Sequence, residues 1–317
     1  MVQSKKDLFG AVFAEFLATA LFIWIGCGAA ISSNTWHSGN STPEVGSVVG
    51  IAIAFGFGIS VLAYGIGHVS GGHINPAVTF SFLIRGEMSL ASAIMYMLAQ
   101  FFGAFIGALF LYASVVGLTT GCEGNSVDTI DDGANERLCA SSCTLDADSG
   151  LFMDCGPPFG LGTNVVSGAI GQGSAFIAEL IGTFVLVFTV LMAAVHRSNG
   201  SGPNAAPIAI GWSVMLAHLV LVPLTGCGIN PARTFGPAIV ALFSGTNSFV
   251  RGAWVYYTAP FAGSLCATLS YEIIFKHVPT VGEEAVTKRP PRSSSVVGNI
   301  PQGLSTGFNP AALTEDA

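Results

Sequence analysis

The sequence predicts an all-α membrane protein with six transmembrane helices and two re-entrant half-helices arranged as an inverted repeat. Three observations carry that expectation. Charged residues make up only 9% of the 317-residue chain and hydrophobic residues 51%, against roughly a quarter charged in soluble domains; so little charge cannot cover a soluble surface of this size. Six apolar stretches reach the length needed to cross a bilayer, about 20 residues. The triplet Asn-Pro-Ala occurs twice, as Asn75-Pro76-Ala77 and Asn230-Pro231-Ala232, each time interrupting an apolar stretch.

The spans are read, in order, as Leu8–Ile31, Val45–Ile66, Leu90–Leu118, Gly168–Val195, Asn204–Leu224 and Gly252–Lys276. The first is too long for a signal peptide and carries Glu15 in its middle, so it is expected to remain as a span. Between spans two and three, and again between five and six, the triplet opens a short apolar segment, Val78–Ile84 and Thr234–Phe243. Asn is a favoured N-cap and Pro is favoured at the first helical position, where its missing N–H costs nothing. Each segment is too short to cross, so each reads as a half-helix.

The first span contains Phe13-Ala14-Glu15 and the fourth Ile177-Ala178-Glu179, so each half repeats the order span with Glu, span, half-helix, span. Three crossings per half force the second half to insert upside down, and the half-helix N-termini then face each other at mid-membrane. The expected organisation is 1–118 first repeat, 119–167 extracellular Cys-rich acidic loop, 168–276 second repeat and 277–317 cytoplasmic disordered tail. Lys5, Lys6, Arg85, Arg197, Lys276, Lys288, Arg289 and Arg292, eight of the eleven basic residues, lie on one side if both termini are cytoplasmic, which fixes that orientation. Which membrane it occupies, plasma membrane or internal compartment, is left open by this rule.

Intramembrane carboxylates usually flag function. Here the stronger reading is support: Glu15 and Glu179 accept hydrogen bonds from backbone N–H groups of the re-entrant loops, which cannot stay unpaired at that depth. A proton relay is the weaker alternative. Gly103 and Gly107, at helical spacing in the third span, suit close helix packing. His68 and His73 lack companions at ligand spacing, so no metal is expected.

A helix N-terminus carries about half a positive elementary charge, and two such ends meeting at one point repel cations, hydronium included. Asn75 and Asn230 are expected to point amide N–H groups into the lumen, and carbonyls around His68–Ile74 and Leu224–Gly228 to supply acceptors along the path. A water bound through its oxygen at the asparagines turns its hydrogens outward and interrupts a proton wire. Nothing in this arrangement performs chemistry: no nucleophile–base pair and no cofactor motif appears, and no basic cluster suggests nucleic acid. The expected partners are water and membrane lipid.

Two Asn-Pro-Ala triplets in opposed halves, the second continuing to Arg233, resemble the major intrinsic protein (aquaporin) family over about Leu8–Lys276. The resemblance implies a homotetramer with one pore per chain. It also implies a selectivity filter at Phe55, His218, Cys227 and Arg233, positions carried over by their spacing from the triplets. That set is similar to the water-selective subgroup; glycerol-conducting members typically carry a small residue in place of the His and an Asp where this chain has Thr234. Cys227, beside the half-helix, is expected to face the pore, which predicts block by a mercurial that Cys227→Ser abolishes. The alternatives are a channel for other small neutral solutes (glycerol, urea, ammonia, peroxide) and a mainly structural or junctional protein.

Cys122, Cys139, Cys143 and Cys155 crowd into the loop between spans three and four. If that loop is outside, its compartment is oxidising and two disulfides are expected, with three pairings open. The loop carries eight acidic residues between Glu123 and Asp154, but its Asp146-Ala147-Asp148-Ser149-Gly150 run has Leu151 and Pro157 where a calcium loop needs Gly and Glu. Asn40-Ser41-Thr42 is a glycosylation sequon. Ser293, Ser294 and Ser295 follow Lys288-Arg289-Pro290-Pro291-Arg292 and are candidate phosphorylation sites, with a basic cluster near anionic lipid as the equal alternative.

Overall fold

The computed structural model describes residues 5–35, 45–115, 143–145, 152–155, 158–196, 205–243 and 252–277. The first repeat is α1 (Lys5–Thr35), α2 (Val45–Ser70), the half-helix α3 (Pro76–Ile84) and α4 (Leu90–Val115). The second is α5 (Gln172–Val190), α6 (Ala206–Thr225), the half-helix α7 (Pro231–Phe243) and α8 (Ala253–Ser270). Helices α5 and α8 each run on through one π-helical turn, Leu191–Val195 and Tyr271–Phe275. Asn40, Cys122, Cys139, Ser293, Ser294, Ser295 and the tail from 278 onward lie outside the described residues.

Helices α1, α2, α4, α5 and α6 are long and apolar enough to cross a membrane. Large apolar side chains such as Phe9, Phe57, Phe110 and Ile273 stand exposed on them and on the α8 end, which is a lipid-facing surface rather than a soluble one. Helix α8, the sixth predicted span, is not among those five helices, and several of its polar groups serve the interior. The Ser264 hydroxyl donates to the Ala77 carbonyl at 2.7 Å and the Tyr256 hydroxyl to the Thr225 carbonyl at 2.6 Å. Helix α5 starts at Gln172, later than the Gly168 expected, since Gly168–Ile170 forms a turn and Gly171 takes an extended N-cap conformation.

The packing repeats with the sequence. Helix α1 lies against α2 and α4, α5 against α6 and α8, and the halves join where α2 meets α6 and where α4 meets the half-helix α7. A Cβ on Gly103 would stand 2.3 Å from the Phe16 carbonyl oxygen, one on Gly107 2.2 Å from that of Ala20, and one on Gly263 2.3 Å from that of Leu180. Glycine is therefore what allows α4 onto α1 and α8 onto α5.

Between the repeats the structure adds an element that the sequence pattern presents only as loop. Strands β1 (Cys143–Leu145) and β2 (Phe152–Cys155) pair antiparallel. A 3₁₀ turn, Pro158–Gly162, comes next and packs against α1 and α7, with Leu161 fully buried.

Candidate pore and its constriction

The two half-helices begin at one place. Asn75 caps α3 from an extended conformation, its Oδ1 accepting from the Ala77 N–H at 2.8 Å. Asn230 Oδ1 accepts from the N–H groups of Ala232 at 3.0 Å and Arg233 at 3.3 Å. Pro76 and Pro231 occupy the first helical positions. Each asparagine then reaches across the repeat: Asn75 Nδ2 donates to the Ile229 carbonyl and Asn230 Nδ2 to the Ile74 carbonyl, both at 2.9 Å. This corrects the expectation that the whole amide group faces the lumen. One hydrogen of each amide goes to the opposite repeat, because a carbonyl at mid-membrane needs a donor. Both asparagines still line the cavity.

The chain enters each half-helix through a left-handed bend. Gly71, Gly72 and Ile74 have φ of 93°, 64° and 55°, and Gly226, Cys227 and Ile229 have 73°, 56° and 43°. Positive φ at a β-branched residue is unusual and costs about 1–3 kcal/mol. The bend turns consecutive N–H groups toward a carboxylate, and that offsets the cost. Glu15 accepts from the N–H groups of His73 at 2.8 Å and Ile74 at 2.6 Å, from Ser70 Oγ at 2.7 Å and from Gln100 Nε2 at 2.9 Å. Glu179 accepts from the N–H groups of Gly228 at 2.8 Å and Ile229 at 2.6 Å and from Thr225 Oγ1 at 2.6 Å. Both carboxylates are fully buried.

A cavity of about 700 Å³ runs from His68 and Pro207 past Asn75 and Asn230 to His218 and Arg233. His73 belongs to its wall, stacked on Phe82 at 4.5 Å with Nδ1 3.1 Å from Thr79 Oγ1. At the far end the Phe55 and His218 rings stack at 4.3 Å, and the Arg233 guanidinium lies 4.7 Å from the Phe55 ring centre. Arg233 Nη1 donates to the Gly162 carbonyl at 2.8 Å. The Val214 carbonyl, an acceptor only, lies 2.8 Å from His218 Nδ1, so that nitrogen carries the hydrogen and Nε2 is left as an acceptor. His218 Nε2 and Arg233 Nε are buried without a partner among the described residues. The end of the cavity thus offers one acceptor and one donor.

Three of the four expected filter residues therefore meet. Cys227 is fully buried and, like Phe55, is not among the residues that line the cavity. Its backbone is left-handed, with φ of 56°.

Sequence reasoning missed several residues that hold the site. Gln100 backs Glu15, and Tyr96 and Tyr256 donate to the Ser70 and Thr225 carbonyls. The two tyrosines occupy equivalent places on α4 and α8, seven residues before Gly103 and Gly263, so the repeat itself held a signal for them. Gly162 and Asn164 had none, since they reach the site only by folding of the inter-repeat segment. Asn164 donates to the Gly226 carbonyl at 2.8 Å and accepts from Thr234 Oγ1 at 2.9 Å.

The sequence matches the major intrinsic protein family over residues 2–271. It is 36% identical to aquaporin-1 of Homo sapiens over 273 residues, 86% of this chain and 84% of that protein. It is 34% identical to aquaporin FA-CHIP of Pelophylax lessonae over 273 residues, 85% of this chain and 84% of that one. The X-ray structure of the aquaglyceroporin from Plasmodium falciparum superposes with a TM-score of 0.62, covering 84% of this chain and 96% of that chain at 22% identity, a likeness of fold.

Proposed function

Because the chain belongs to the major intrinsic protein family, whose members are multi-pass membrane channels and not enzymes, we propose that it is a passive water-selective channel driven by osmotic gradients. The observation that carries the proposal is the constriction, where Phe55, His218 and Arg233 pack against one another at the end of the cavity. A water molecule can donate to His218 Nε2 and accept from Arg233 Nε. A glycerol carbon chain would need an apolar wall there, and Phe55 is fully buried, with His218 stacked on it and the Arg233 guanidinium over its ring.

Ion and proton exclusion follows from the centre. The α3 and α7 N-termini direct positive partial charge at one point, and the remaining amide hydrogens of Asn75 and Asn230 are available to a water oxygen there. A water held through its oxygen cannot accept a proton from the chain of waters behind it. Arg233 adds a fixed positive charge at the outer end, the arrangement by which aquaporin-type pores are understood to exclude cations. Glu15 and Glu179 act as positioning residues for the two bends.

The reading places both termini in the cytoplasm and assembles the chain as a homotetramer with a pore in each protomer. Asn40 is then on the glycosylated side and Ser293, Ser294 and Ser295 on the side of the kinases. Stopped-flow light scattering of proteoliposomes tests the central claim. Fast shrinkage in an impermeant sugar with glycerol excluded is the expected result. Rapid glycerol entry would transfer the chain to the small-neutral-solute reading, and no flow above that of empty liposomes would favour a structural role.

A further inference from the structure

The β1–β2 hairpin brings two cysteines to opposite positions. Thr144 pairs with Met153 and Leu145 with Phe152, so a regular ladder would set Cys143 opposite Asp154. The register breaks between Cys143 and Thr144, and Cys155 takes that place instead. A bulge of this kind adds one residue to one strand and re-aims the residues beyond it. Residues directly opposed in an antiparallel pair have Cα atoms about 4.5–5.5 Å apart, inside the window of about 4.4–6.8 Å that a disulfide spans. Cys27 and Cys227 are free and buried in the membrane core.

The hairpin leads straight to the constriction. Seven residues beyond Cys155 the Gly162 carbonyl accepts from Arg233 Nη1, and it also lies 3.9 Å from Cys27 Sγ. Gly162 has φ of 67°, and a Cβ there would stand 3.1 Å from that of Cys27. The acceptor for Arg233 thus follows the hairpin by seven residues in the chain.

We propose that Cys143 and Cys155 form a cross-strand disulfide that staples the hairpin and fixes the Pro158–Gly162 turn against Arg233. This leaves Cys122 and Cys139 as the second pair. The proposal rests on the outward placement of the inter-repeat loop, which belongs to the proposed topology. Closing the bond removes two protons and two electrons from the two thiols. They pass by exchange to the disulfide of a thiol–disulfide oxidoreductase, which leaves as its dithiol.

Thiol counting on the full-length protein, denatured and alkylated without reductant, tests the pairing. Wild type should label only at Cys27, Cys227 and Cys266, and Cys143→Ser/Cys155→Ser should label no more. Cys139→Ser/Cys143→Ser should expose two further thiols. Two new thiols in Cys143→Ser/Cys155→Ser, with none in a mismatched double variant, would overturn the pairing. Full labelling of the wild-type loop would overturn the disulfide. An impermeant maleimide on intact cells then tells whether topology failed too, since an outward loop still labels from outside. For the coupling to Arg233, Cys143→Ser/Cys155→Ser should raise the glycerol-to-water permeability ratio several-fold in proteoliposomes. An unchanged ratio would remove that part.

Discussion

The two re-entrant segments are built to one plan and braced differently. In the first half the Glu15 carboxylate takes four donors, one of them the amide of Gln100 on α4. In the second half Glu179 takes three, because the place on α8 that corresponds to Gln100 holds Pro260. The second half is secured from outside the repeat instead. Asn164 grips Gly226 and Thr234, and Gly162 grips Arg233. The features common to both halves support strained backbone at mid-membrane. The features that differ, above all Arg233 where the first half has Val78, make the proposed constriction.

The largest test of the shared part is removal of each carboxylate. Glu15→Ala and Glu179→Ala each strand two backbone N–H groups, at about 1–3 kcal/mol per group. Both should unfold at much lower temperature in detergent, Glu15→Ala the more severely because four donors lose their acceptor. A Glu179→Ala protein as stable as wild type would break the symmetry argument outright.

The next test separates the halves. Arg233→Val should keep water flow and raise the glycerol-to-water permeability ratio by about tenfold, the size of a 1.4 kcal/mol change in discrimination. Val78→Ala, at the matching place in the first half-helix, should leave that ratio unchanged. Equal effects in stopped-flow assays would mean that selectivity does not reside in the second half alone.

Gln100→Leu removes a donor from Glu15 and from Thr79 Oγ1. It should cost about 1–3 kcal/mol, read as a lower midpoint of thermal unfolding, without changing selectivity. Tyr96→Phe and Tyr256→Phe should cost least, about 1 kcal/mol each. Tyr256 is expected to matter more, since its bond to Thr225 is 2.6 Å against 3.0 Å for Tyr96 to Ser70.

How much is legible in the sequence differs by element. The spans are legible because lipid imposes a composition over about 20 residues, although α8 falls short of that measure. The half-helices are legible because Asn-Pro is a local capping signal. Their cross-bonding is not, since it depends on where the Ile74 and Ile229 carbonyls lie across the repeat interface.

Sequence by itself determined the solvent, the number of repeats, their inversion and the two cap sites, all of which follow from hydrophobic length, parity of crossings and local backbone preference. Only the tertiary structure decided how Phe55, His218 and Arg233 meet. Phe55, His218, Arg233 and Gly162 come from α2, α6, α7 and the inter-repeat turn, and their distances are set by how those elements pack and rotate against one another. A hydrophobic pattern states which face of a helix is buried, but not which side chain on a neighbouring helix it will meet.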